Sequence, residues 1–287
     1  MNKEILKQVN RLIKHEDVNS TYLSRVNLYK TSTFKPKGPL RYDFSLILVL
    51  QGKKIGYLPN KTFEYNANNY LVVPATIPFE CETFASTDEP FICIAINIDK
   101  NVMREIVESI AKEEAKSCKK TQPAVFIDDV TEEIQDVILR LLKALESKEE
   151  SMILGDSLIK ELFYRIATGQ NSYFLHKMFL EDNKESKIAK SLKTIHDNFN
   201  KSLDIPSLAK NEDMSVSSFH NHFKKITTYS PLQYIKKMRL TKAKDLIEKE
   251  NYQVNNTAYA VGYESISQFS RDFKNYYGYP PKEAKAI

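Results

Sequence analysis

Two sets of side chains in this sequence carry hydrogen-bond donors at helical spacing with no acid among them. The first is Ser217, His220, Asn221 and Lys224, and the second is Ser267, Ser270, Arg271 and Lys274. Steps of three and four residues place each set on one face of a helix. Asn can pair bidentately with adenine and Arg with guanine, while Lys suits phosphate. The chemistry open to these groups is recognition of nucleic-acid edges and backbone, not bond making.

The two sets stand 50 positions apart, member for member, because the phrase Ser215–Lys224 recurs as Ser265–Lys274. Such a repeat fixes architecture before any single motif does. Ser215 and Ser265 are suited to cap helices. Val216, Phe219, Phe223 and Ile226 then form one apolar face, matched by Ile266, Phe269, Phe273 and Tyr276. A short helix is expected before each: one within 203–214, with Pro206 early, and one within 252–263, where Gly262 can end it in a left-handed turn. Short helix, tight turn and capped helix is the helix-turn-helix pattern, whose second helix enters the major groove. The competing reading is a plain helical bundle with solvated outer faces. Between the copies, Pro231–Lys249 is expected to be one helix of roughly 28 Å, which can set two such units about one DNA turn apart.

The charge is unevenly shared. Residues 187–287 hold 17 Lys and Arg against 10 Asp and Glu, whereas the whole chain of 287 residues is only +5. A basic C-terminal third suits a polyanion such as double-stranded DNA. Three widely spaced cysteines, Cys81, Cys93 and Cys118, argue against a disulfide framework and suit a reducing cytoplasm. No apolar run approaches the ~20 residues of a membrane span, and the N-terminus lacks a signal-peptide core.

Before the repeat, the chain reads as a helix at 2–16, then short strands at 42–50, 54–58, 62–65, 70–74, 78–85 and 90–98. Pro59-Asn60, Asn66 to Asn69, Pro74 to Pro78 and Ser86 to Pro90 are the turns between them. Closely spaced short strands suggest a sandwich or barrel. Helices are expected next at 100–117, 131–146 and 151–168. The wide apolar stripes of the last two, including Ile153 and Leu154, can cover the sheet, form a homodimer surface, or both. The fold expected is α+β: residues 1–175 a barrel with flanking helices, 176–187 a linker, and 188–287 an all-helical domain with two helix-turn-helix units.

Residues 188–287 resemble the DNA-binding domain of the AraC/XylS family of bacterial transcription regulators. Leu208-Ala209, Ser215–Lys224, Ser230-Pro231, Arg239-Leu240 with Ala243, Ala258 to Tyr263, Gln268 to Arg271 with Phe273, and Gly278 to Pro281 carry the likeness. Leu48–Lys54 and Tyr70–Pro78 are similar to the cupin-like regulatory domain of one branch of that family. The resemblance implies that Ser217, His220 and Asn221, then Ser267, Ser270 and Arg271, read base edges, with Lys224 and Lys274 on phosphate or left in solvent. It also implies an activator that works with RNA polymerase. Thr228 departs from the family pattern where Gly278 keeps it, and the first helix lacks a base-facing Arg or Lys, so softer readout is expected there.

Cupin enzymes hold a metal with barrel histidines. His15, His176, His196, His220 and His222 all lie outside the expected barrel, so neither a metal nor another cofactor is expected. His220 and His222 point about 200° apart on a helix and cannot share an ion. No catalytic constellation is recognisable, and the chain is not expected to be an enzyme. If the barrel takes a small-molecule effector, Tyr42, Phe44, Tyr57, Phe79 and Phe91 are candidate lining residues, each also readable as core. Two alternatives stay open: a barrel that only dimerises, and a cupin-type enzyme fused to a DNA-binding domain.

Overall fold

The computed structural model describes residues 2–42, 44–59, 61–73, 77–111, 125–180, 184–250 and 252–286. Asn60, Pro74, Cys118, the end of the helix expected at 100–117 and the middle of the expected linker lie outside these residues.

Helix α1 (Lys3–Leu12) is capped by Asn2, whose Oδ1 accepts the Glu4 N–H at 2.9 Å. Ile5 and Val9 are buried. Strands β1 (Asp17–Ser20), β2 (Val26–Thr31), β3 (Lys35–Tyr42), β4 (Ser45–Gln51), β5 (Lys53–Leu58), β6 (Lys61–Asn66), β7 (Asn69–Val73), β8 (Ile77–Phe84) and β9 (Phe91–Asn97) come next. Then come α2 (Lys100–Ala111), β10 (Phe126–Asp129), α3 (Glu132–Ala144), α4 (Lys148–Ala167), α5 (Tyr173–Leu180) and α6 (Lys184–Asp197).

The strands pair antiparallel in two sheets, ordered β1-β2-β9-β4-β7-β10 and β3-β8-β5-β6. Ser45 to Leu50 of β4 are all buried. That explains a continuous apolar run where a half-exposed strand would alternate. In β5 the buried positions do alternate: Lys54, Gly56 and Leu58. Helices α3 and α4 begin at Thr131 and Ser147, whose side chains accept from Ile134 N and Glu150 N; such caps contribute about 1 kcal/mol each.

The strands β1, β2, β3 and β10 are additional to those expected. Three of them are sheet edges. β3 contains Pro36, Gly38 and Pro39, residues that a central strand excludes and an edge tolerates. Helices α5 and α6 occupy most of 176–187. On α4 the inward stripe is Gly155, Leu158, Ile159, Leu162, Phe163 and Ile166, while Ile153 and Leu154 point outward.

The last third contains α7 (Ile205–Asn211), α8 (Val216–Thr227), α9 (Pro231–Lys249), α10 (Val254–Ala260), α11 (Ile266–Tyr277) and a 3-10 turn, Pro281–Ala286. Two apolar clusters hold the described chain together. One runs from the strands through α3 to α6 and into Phe219, Phe223 and Tyr234; the other joins Leu240, Ala243 and Ile247 to Ala258, Phe269 and Phe273. The chain is α+β, a sheet domain followed by a helical one.

Candidate nucleic-acid interface and ligand cavity

The first helix pair starts at Asp204, whose carboxylate accepts from Ser207 N at 2.9 Å. Hydrogen bonds from Ser207 hold that carboxyl below the usual range. After α7 the chain turns at Asp213 (φ 50°), and Met214 N donates to Ala209 O at 2.9 Å. Ser215 Oγ then accepts from Ser218 N at 3.2 Å and α8 begins. The second pair repeats this. Gly262 (φ 85°) makes the turn, Tyr263 N donates to Ala258 O at 2.9 Å, and Ser265 Oγ accepts from Gln268 N at 3.3 Å. Its turn is longer by one residue, Glu264. A Cβ on Gly262 would stand 2.7 Å from Asn200 O, so this turn seats directly on the chain between α6 and α7.

The phenylalanines of the repeated phrase are the inward faces. Phe219, Phe223, Phe269 and Phe273 are fully buried. Their spacing leaves the donor sets outside. Ser217, Asn221 and Lys224 on α8 are exposed and His220 is half-buried; Ser267, Arg271 and Lys274 on α11 are exposed and Ser270 is half-buried. Among these, Ser217 Oγ lies 3.3 Å from Ser215 Oγ. Both helices end in the same left-handed cap, Thr228 (φ 67°) and Gly278 (φ 86°), each donating its N–H 2.8 Å to Lys224 O or Lys274 O. Gln268 is also exposed beside Ser267 and Arg271 and was not among the expected contacts. Its place one turn before Arg271, next to the cap, was the signal available.

Helix α9 holds the two units together. Ser230 and Gln233 form a reciprocal capping box at its start. Arg239 donates from Nε to Phe199 O (2.8 Å) and from Nη2 to Lys201 O (2.9 Å), and its guanidinium lies 6.0 Å from the centre of the Tyr263 ring. Burial pushes Arg239 below the usual arginine range. The Lys237 ammonium lies between the rings of Tyr229 (4.8 Å) and Tyr276 (4.3 Å), one from each unit. Burial pushes Lys237 down and Glu80 of β8 opposes it, so this point also faces the sheets. A cavity of about 440 Å³ beside it is lined by Pro59, Lys224, Tyr229, Lys236, Lys237 and Tyr276, among others.

A second cavity, about 500 Å³, lies between the two sheets. Tyr29, Tyr42, Lys54, Cys81, Cys93 and Ala95 are among its walls. Tyr42 is the one expected lining residue found there. Phe91 stands directly behind, its ring 4.7 Å from Lys54 Nζ. Phe79 is fully buried against Tyr42 and Phe63. Phe44 packs on Phe179 of α5. Tyr57 bonds outward to Glu82 at 2.9 Å. A polar string runs from Tyr42 through Tyr65 to Cys81, at 3.3 Å and 3.3 Å. Both described cysteines are buried and free. Burial pushes the Cys93 thiol up to about 11, with Lys54 opposing the shift. Lys54 itself was not among the expected residues, although its place in register with Gly56 and Leu58 marks it as inward-facing.

No helix among the described residues is long and apolar enough to cross a membrane. Residues 22–173 match the family described as the AraC-type transcriptional regulator N-terminus, and 208–286 match a helix-turn-helix domain. The transcriptional activator RhaS of Mannheimia succiniciproducens is 30% identical over 103 residues, 36% of this chain and 38% of that protein. The RhaS of Escherichia coli O1:K1 is 23% identical over 159 residues, 54% and 56% of the two chains. This chain therefore spans just under two fifths to just over half of the length of those relatives. The Msm operon regulatory protein of Streptococcus mutans is 22% identical over 251 residues, 86% and 85%. In fold, the chain is similar to ToxT of Vibrio cholerae with an unsaturated fatty acid bound, at a TM-score of 0.58, 13% identity, and coverage of 94% and 96%. The regulator N-terminus spans more than half of the sequence and the helix-turn-helix match takes most of the remainder: the chain belongs to the AraC/XylS family of transcription regulators.

Proposed function

We propose that the protein reads a specific DNA site with α8 and α11 in two adjacent major grooves, and that a small-molecule effector bound between its sheets controls this reading. The observation that carries the proposal is the pair of capped helices with buried phenylalanine faces and exposed donor faces. Ser217, His220 and Asn221 would meet base edges in one groove, and Ser267, Ser270 and Arg271 in the next, with Lys224 and Lys274 on phosphate. Arg271 offers the bidentate guanine contact, whereas α8 offers Asn221 for adenine. The readout is thus unequal between the two grooves.

In this reading residues 1–175 sense and dimerise, 176–187 connect, and 188–287 bind DNA in the cytoplasm. Activation through RNA polymerase is the sign that accords with the RhaS relatives. The protein regulates and does not catalyse. Met152, Ile153 and Leu154 stand exposed on α4, and we assign that face to a second copy of the chain, since contiguous exposed apolar side chains mark interaction surfaces. The test is genome-wide mapping of bound sites followed by footprinting. Two protected segments about one helical turn apart support the reading, and a single protected segment overturns it.

A further inference from the structure

The stretch 198–204, between α6 and α7, bridges the two apolar clusters. Leu203 packs on the cluster that holds Phe219 and Phe223, and Phe199 on the cluster that holds Phe269 and Phe273. Helix α9 passes from one cluster to the other at a single point: Met238 belongs to the first and Leu240 to the second. Arg239 stands between them. From there its Nε donates to Phe199 O at 2.8 Å and its Nη2 to Lys201 O at 2.9 Å. Both acceptors are main-chain carbonyls, so the bonds fix the path of the backbone that leads into the first unit. The fork needs a planar guanidinium with donors at fixed separation, which a lysine lacks.

The same side chain faces the second unit. Its guanidinium lies 6.0 Å from the centre of the Tyr263 ring, within reach of a cation–π contact. Tyr263 is buried, and its hydroxyl donates to Asp272, which Lys236 of α9 holds at 2.7 Å. Arg239 and Lys236, one turn apart on α9, thus secure the ring and the hydroxyl end of one tyrosine. Beside it, a Cβ on Gly262 would meet Asn200 O at 2.7 Å and Asn200 C at 2.9 Å, so the turn of the second unit rests on the backbone that leads into the first. Helix α9 sets the distance between the units, and the turns at its ends leave their mutual rotation to contacts such as these. One base pair more or less between two sites on B-DNA turns one against the other by about 35° and moves it by about 3.4 Å. DNA therefore reads rotation between the units as spacing.

We propose that Arg239 is a positioning residue that fixes the rotation of α11 relative to α8, and so selects the number of base pairs between the two DNA segments the protein reads. This rests on the reading of α8 and α11 as a pair in adjacent grooves, and adds what sets their phase.

The full chain is titrated by fluorescence anisotropy against duplexes that carry the two footprinted segments of a mapped site. The length between the segments is kept as found, or made longer or shorter by one base pair. Wild type, Arg239→Lys and Arg239→Met are compared. Wild type should lose about tenfold or more in affinity for either altered length, because the DNA must twist or a unit must move. Arg239→Met, with no donor for either carbonyl, should lose less than about threefold for the same change. Arg239→Lys keeps the charge but not the fork and should fall between the two. The preference is a ratio within one protein, so a partly unfolded sample lowers every affinity alike and leaves it unchanged. Retention of the wild-type length profile by either variant overturns the inference. So does a wild type indifferent to length. A salt slope lowered by about one unit at an unchanged profile also overturns it, and makes Arg239 a phosphate contact. A single protected segment in wild type instead overturns the two-groove reading itself.

Discussion

Nζ of Lys236 lies 2.7 Å from Oδ1 of Asp272, which ties the connecting helix α9 to the buried side of the second reading helix α11. The same carboxylate accepts from Tyr263 Oη at 3.4 Å, so it joins α9, the turn of the second unit and α11. The two partners are unequal: Asp272 is buried, whereas half of the Lys236 side chain is in water. Lys236→Met should therefore cost less than about 1 kcal/mol. Asp272→Ala should cost about 1–3 kcal/mol because it also strands the Tyr263 hydroxyl. Denaturant titration of both variants checks the order, and equal losses would contradict it.

Thr228 holds the left-handed cap of α8 that Gly278 holds for α11. A β-branched residue there is strained by about 1–2 kcal/mol, offset in part by the extra freedom Gly has when unfolded. Thr228→Gly should stabilise the protein by up to about 1 kcal/mol despite losing the hydroxyl bond to Thr227 O. Gly278→Thr should destabilise it, although a Cβ there has open space around it, because φ is positive. Melting curves of the pair test the sign of each.

Arg271 and Lys274 are both exposed on α11 but should fail differently. Arg271→Ala should weaken binding to the footprinted site by about 1–3 kcal/mol and relax selection at one base pair. Lys274→Ala should weaken all sequences evenly and lower the slope of log affinity against log salt by about one unit. Salt titrations on a matched and a substituted site separate the two outcomes.

Ile153 is 67% exposed and Met152 is 70% exposed on α4. If this face meets a second copy, Ile153→Glu should shift the protein to monomer in sedimentation equilibrium with little change in melting of the monomer. An unchanged mass would move the dimer surface elsewhere.

The helical domain was legible because its signals are local. Ser215 and Ser265 announce caps, the phenylalanines repeat at helical spacing, and Gly262 marks a positive φ; each is visible within a few residues. The sheets were legible only at their centres. β4 is a continuous apolar run, but β1 and β10 are four residues each, and β3 carries two prolines that only its edge position permits. The ligand cavity was the least legible part. Aromatic residues drew attention to Phe79 and Phe44, which pack, and to Tyr57, which points outward. Lys54 reads as an ordinary surface charge until the alternation of β5 is in register with its neighbours. Thr228 likewise hides its left-handed backbone, since nothing in a threonine advertises it.

The division of the apolar core has a consequence for how the molecule comes apart. Phe219 and Phe223 share one cluster with the strands, while Phe269 and Phe273 belong to another with the far end of α9. Cooperative units coincide with shared cores. Opening of α10 and α11 can then occur as a local event, whereas α7 and α8 open together with the sheets. Amide exchange would divide the DNA-reading third of the chain into one helix pair that reports the state of the sheets and another that keeps its own time.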